Sequence, residues 1–177
     1  MCGTDEDAII EIVGFASPAH AAALRYEYAM RYGHTLATAI ADETRGELEQ
    51  LLQAFLHPPP SALATADARL AEAQAAALRA SGPSPPDQAD PHVTVLSRCS
   101  HLQLVAVADA FERAQGVPLF EALRSPQLGL AENVRKLCVT RVRWARDAAE
   151  RQRQAAMAKE ATAVKEAAKE AAKEAAA

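Results

Sequence analysis

Aromatic side chains are scarce in this chain of 177 residues: they make up 5%, with a single tryptophan. A core short of rings must be filled by Leu, Ile, Val and Ala. Cysteine is scarce too. Cys2, Cys99 and Cys138 are widely spaced and form no CxxC pair, which excludes a disulfide framework and a zinc knuckle and suits a reducing cytosol. Seven glycines and ten prolines are too few for a collagen-like or wholly disordered chain. No apolar run approaches the ~20 residues that span a bilayer. Thr4, Asp5, Glu6 and Asp7 follow the start at once, so no secretory signal is expected. No GxSxG, P-loop, Rossmann or HExxH pattern occurs, which points away from an enzyme. The five histidines show no ligand spacing and are expected on the surface or in loops.

What is present is half hydrophobic by the wide count and 24% charged, with a net charge of −4. The length suits one domain or two small repeats. The charge is uneven: residues 141–177 hold nine basic and six acidic groups, and the remainder ten basic and seventeen acidic. An acidic body is repelled by nucleic acid and by anionic lipid unless a cation intervenes. Arg141, Arg143, Arg146, Arg151 and Arg153, interleaved with Trp144, are interrupted by Asp147 and Glu150 and read as a solvated helix face rather than a nucleic-acid patch.

The patterning is helical almost throughout, and no run alternates with period two for long enough to form a strand. Thr4 is placed to cap a first helix whose acidic first turn suits the positive end of the helix dipole. Ser17-Pro18 opens a second helix that stops at Gly33. Thr35 opens a short third, and a break at Thr44 to Gly46 precedes a fourth carrying Leu48, Leu51, Leu52, Phe55 and Leu56. Ser61 to Ala80 reads as a fifth, rich in Ala. Residues 81–90 hold three prolines and read as a loop. The pattern then returns at a constant offset: Asp90 stands for Asp7, Ser100 for Ser17, Gly116 for Gly33, Gly129 for Gly46, Phe111 for Tyr28 and Leu123 for Ile40. Such a unit cannot bury its apolar face alone, so copies must stack. The end, VKEAAKEAAKEAAA, has high helix propensity and opposite charges at i,i+3, and reads as a solvated helix.

The segment from Cys2-Gly3-Thr4-Asp5-Glu6 through Ile12, taken with these helices, resembles an annexin repeat. That family opens a helix with a GxGT-D-E segment and closes a calcium site with an acid at a set distance beyond the Thr. Glu43 stands at that distance from Thr4, with positions 5–42 between them. Arg31-Tyr32-Gly33 and Leu48 to Leu56 also look like parts of the family's helices. The resemblance covers about residues 2–140 and is stronger in the first half. It implies an all-α fold of two stacked five-helix repeats followed by a long charged C-terminal helix. The expected divisions are repeat one at 1–80, the proline-rich loop at 81–90, a degenerate second repeat at 91–147 and an Ala/Lys/Glu-rich helical tail at 148–177.

The resemblance also implies calcium-dependent binding to anionic phospholipid, at membranes of the cytoplasm. Calcium takes six to eight hard oxygen ligands, carbonyls and carboxylates among them. By resemblance, Met1 and Gly3 give carbonyls and Glu43 a carboxylate, while Thr4 and Glu6 form a second, weaker site. There are departures. Met1 stands where the family has the first loop glycine, which weakens the site, and the position matching Glu43 in the second half is Pro126, so no calcium is expected there. The alternative is a calcium-independent scaffold or protein-interaction module derived from an annexin. Half an annexin would expose apolar surface and so favour self-association. No nucleic-acid partner is expected.

Overall fold

The computed structural model describes residues 5–57, 66–80 and 90–174. These are all-α, with no strand among the described residues. The helices are α1 (Glu6–Gly14), α2 (Pro18–Tyr32), α3 (Leu36–Glu43), α4 (Gly46–Leu56), α5 (Ala68–Ala80), α6 (Pro91–Arg98), α7 (His101–Gln115), α8 (Leu119–Ala122) and α9 (Glu132–Glu174); a 3-10 turn, Pro126–Leu128, precedes α9.

Local chemistry sets most of these bounds. Ser17 and Ser100 each accept a backbone N–H from one turn ahead, that of His20 and of Gln103, at 3.1 and 3.2 Å. Each is followed by a fifteen-residue helix. Those helices end at Gly33 and Gly116, with φ of 74° and 70°, a left-handed cap that glycine adopts without a Cβ penalty. Gly46 and Gly129 form a second positive-φ pair, offset along the chain as Gly33 and Gly116 are. The cap of α1 falls one position later than expected: Asp5, not Thr4, accepts the Ala8 N–H at 3.0 Å. A carboxylate there gains from the helix dipole as well as the hydrogen bond. Thr4 itself lies outside the described residues, as do Met1, Gly3 and positions 81–89, where a loop was expected.

The core is aliphatic, as the lack of rings demands. Leu51, Leu52, Leu56, Leu96, Leu104, Leu119, Leu123 and Leu137 are fully buried. α9 is its spine: α1, α4, α6, α7 and α8 all pack against its first half. From residue 150 onward the described side chains of α9 are exposed, so the helix continues unbroken out of the body as the solvated tail. α5 packs on α7 and α6, the elements that follow it, a contact between the two expected units of the kind that stacking requires. No described helix is long and apolar enough to cross a membrane.

Two expectations about polar residues fail. Arg141 and Trp144 are buried rather than on a solvated face. Arg141 donates to the Ala16 carbonyl at 2.9 Å and lies over the Phe55 and Trp144 rings at 4.6 and 4.2 Å. The guanidinium carries its charge inward because a carbonyl and two π faces receive it. His92 is buried too, with Nδ1 2.8 Å from Asp90 Oδ1.

Candidate functional site

The acidic start of α1 is tied to the start of α9. Asn133 Nδ2 donates to Glu6 Oε2, and Lys136 Nζ donates to Asp7 Oδ1 at 2.8 Å while lying 3.4 Å from Glu132. Asp7 and Glu132 hold the Lys136 ammonium above its ordinary pKa. Glu6 is therefore held partly buried by an amide 127 residues away. As a calcium ligand it would have to exchange that amide for the ion.

Glu43 ends α3, and its side chain is exposed. The C-terminal end of a helix carries partial negative charge, which suits a cation. Around it the backbone is well satisfied. Buried Thr44 donates its hydroxyl to the Ile40 carbonyl at 2.7 Å. Arg45 donates to the Ala41 carbonyl and, at 2.9 Å, to the Thr44 carbonyl. Thus a guanidinium already serves two carbonyl oxygens at this helix end. Gly46, at φ 65°, turns the chain from there into α4.

The donors fit calcium in kind, because an exposed carboxylate at a negative helix end is a hard oxygen ligand. Among the described residues no group of three His, Cys, Asp or Glu side chains gathers to hold a metal; the family resemblance implies backbone oxygens as the other ligands. Met1, Gly3 and Thr4, which would supply them, lie outside the described residues. In the second half, Pro126 opens the 3-10 turn where Glu43 has its counterpart, and a proline side chain offers no ligand. Asn133, Lys136 and Arg45 were not singled out from sequence. Only their proximity in the fold reveals them.

Comparison with known proteins bears on the family and the fold. The annexin family model matches residues 1–55. Annexin A13 of Schistosoma japonicum is 33% identical over 130 residues, covering 72% of this chain and 34% of that protein. The chain belongs to the annexin family. Its fold is found in a point mutant of annexin A8 with an intact N-terminus (TM-score 0.72, 23% identity, 82% of this chain and 45% of that one). It is also found in calcium-bound annexin (Sm)1 (TM-score 0.64, 21% identity, 82% and 45%). This annexin chain thus spans about a third of the curated relative and less than half of each solved structure.

Proposed function

We propose that this annexin chain binds anionic phospholipid surfaces through calcium, as a cytoplasmic protein peripheral to membranes and with a binding rather than a catalytic role. The observation that carries the reading is Glu43: an exposed carboxylate at the end of α3, at the family's distance beyond Thr4, in a chain of annexin sequence and fold. Glu43 would supply the carboxylate, the Met1 and Gly3 carbonyls would complete the protein's share, and Thr4 with Glu6 would hold a second ion. Calcium, when bound, would supply the positive charge that lets an acidic body meet an acidic bilayer. A structure of a relative with calcium bound supports the same chemistry.

The test is co-sedimentation with phosphatidylserine vesicles. Wild type should pellet in calcium and not in chelator, and Glu43→Gln should raise the calcium needed by about tenfold or more, the scale of losing one charged ligand. Equal pelleting in calcium and chelator would sink the proposal.

A second reading, a calcium-independent module of annexin descent, is favoured by two contacts. Asn133 occupies Glu6, and Arg45 occupies the carbonyls at the end of α3. Calorimetry on the folded protein separates the two: no heat at millimolar calcium selects the module.

A further inference from the structure

α5 supplies a template inside the molecule. It lies on α6 and α7 with Ala71, Ala75 and Leu78 buried. Gln103 of α7 receives it: its Oε1 accepts from the Asp67 N–H at 2.8 Å, and its Nε2 donates to Gln74 Oε1 at 2.9 Å. With α5 in place, Val95, Gln103, Val107 and Ala110 are all buried.

Carried back by the offset that pairs Ser100 with Ser17, the same surface stands open. The counterparts are Ile12, His20, Leu24 and Glu27, and all four line a groove of about 620 Å³ between α1 and α2. Val95 is 8% exposed, whereas Ile12 is 56% exposed, and Phe15 beside it is 44% exposed. Among the described elements, α1 packs on α4 and α9 and α2 on α3 and α4; none takes α5's place. The groove is shaped for one more helix with a narrow apolar stripe.

The molecule also carries a helix of that kind, standing clear of the described body. At residues 151–167 the side chains of α9 are exposed. Its Met157, Ala161 and Val164 repeat the spacing of Ala71, Ala75 and Leu78, and Met157 and Val164 are 70% and 63% exposed. In this register Glu160 takes the place of Gln74, and Lys165 that of Arg79. Gln74 meets Gln103, whose counterpart is His20. Arg79 lines the α5–α7 groove with Ala110, whose counterpart is Glu27. The transferred helix would set Glu160 toward His20 and Lys165 toward Glu27, opposite charges at the second contact and a hydrogen-bonding pair at the first.

α9 is unbroken and cannot fold back onto its own groove. Its root is nevertheless close by. Phe15 and His20 line both the α1–α2 groove and a second cleft that holds Ala148, Arg151, Gln152 and Ala155 of α9. A twofold axis near that cleft would lead each tail into the other copy's groove, an exchange that closes without leaving a free end. We propose that the α1–α2 groove receives residues 157–164 of α9 from a second copy of this chain, in reciprocal exchange, giving a dimer that does not require calcium.

Sedimentation equilibrium of the full chain in chelator tests this. Wild type should have twice the 18.8 kDa chain mass, and both Ile12→Arg in the groove and Val164→Glu in the tail should return it to the monomer. Val164 lies in solvent, so its substitution cannot unfold the body, and circular dichroism confirms folding for both. Glu27→Lys and Lys165→Glu should each weaken the dimer about tenfold, the scale of one close ion pair, and together restore it. A monomer at all concentrations overturns the proposal. So does a dimer that survives Val164→Glu, or one lost only on the groove side, which would assign the groove another occupant.

Discussion

At Gly14, α1 packs closely against α9. A Cβ built on it would lie 2.7 Å from Thr140 Cγ2 and 3.3 Å from Leu137 Cδ1. Two effects oppose each other in Gly14→Ala. Alanine gains up to about 1 kcal/mol of helix propensity, and overpacking a close interface costs about 1–3 kcal/mol. The clash should win, for a net loss of about 1 kcal/mol in urea denaturation. Thr140→Ser removes the offending methyl, so the double variant should recover most of the loss. A single variant as stable as wild type would show that α1 and α9 can part cheaply. None of this was legible in the sequence, where Gly14 reads only as the end of an apolar run. Gly33 and Gly116 were legible, because a glycine just after a periodic segment is the ordinary cap. The helix end at Glu43 was readable from the break at Thr44 to Gly46, whereas its distance from Thr4 had meaning only through the family resemblance. The hold of Asn133 on Glu6 was not, because a contact across 127 residues leaves no local mark.

At the scale of elements, the junction of α4, α6 and α9 gathers buried polar groups. Asp90 caps α6 by accepting the His92 N–H at 2.7 Å, and it pairs with the His92 ring. Glu47, in the first turn of α4, is pushed above the usual carboxylate range by desolvation and then by Asp90, with His92 pulling the other way. Burial also raises the Cys138 thiol beneath them, so it stays protonated and inert, and the Cys99 thiol is pushed up to about 11. The sign for Glu47 follows. A carboxyl whose folded pKa exceeds its unfolded value makes the fold bind more protons, so its penalty is absent in acid and appears as pH rises through that range. Glu47→Gln should therefore stabilise the protein at neutral pH and leave it nearly unchanged near pH 4, as read from thermal melts at the two pH values. The opposite ranking would mean that the ionised Glu47 is stabilising. Periodicity gave the helices themselves but not their grouping. The Ala-rich pattern of α5 says that one narrow face is buried, and only packing says that the face meets α7.

Across the whole molecule, α9 packs against α1, α4, α6, α7 and α8, and Arg141 sits where several of these elements meet. It reaches from α9 to the Ala16 carbonyl between α1 and α2, covers Phe55 of α4 and stacks on Trp144, whose ring meets His101 of α7. Composition could not have revealed this. A run of arginines with interspersed acids normally means solvent, and burial here lowers the Arg141 pKa to about 10. Because that value is below the unfolded one, the effect on stability changes only above about pH 10 and is constant near neutrality. Arg141→Met would relieve the desolvated charge but leave the Ala16 carbonyl without its donor, a cost of about 1–3 kcal/mol. The geometry favours the cost, since the carbonyl is enclosed where Arg141 reaches it. The only tryptophan of the chain reports on this junction. Denaturation followed by Trp144 fluorescence and by far-ultraviolet dichroism should give coincident midpoints in wild type, with the exposed tail adding only a sloping dichroism baseline. In Arg141→Met both midpoints should fall together. If the fluorescence midpoint alone moved, the junction would be melting by itself, and α9 would not be coupling the elements on its two sides into one cooperative body.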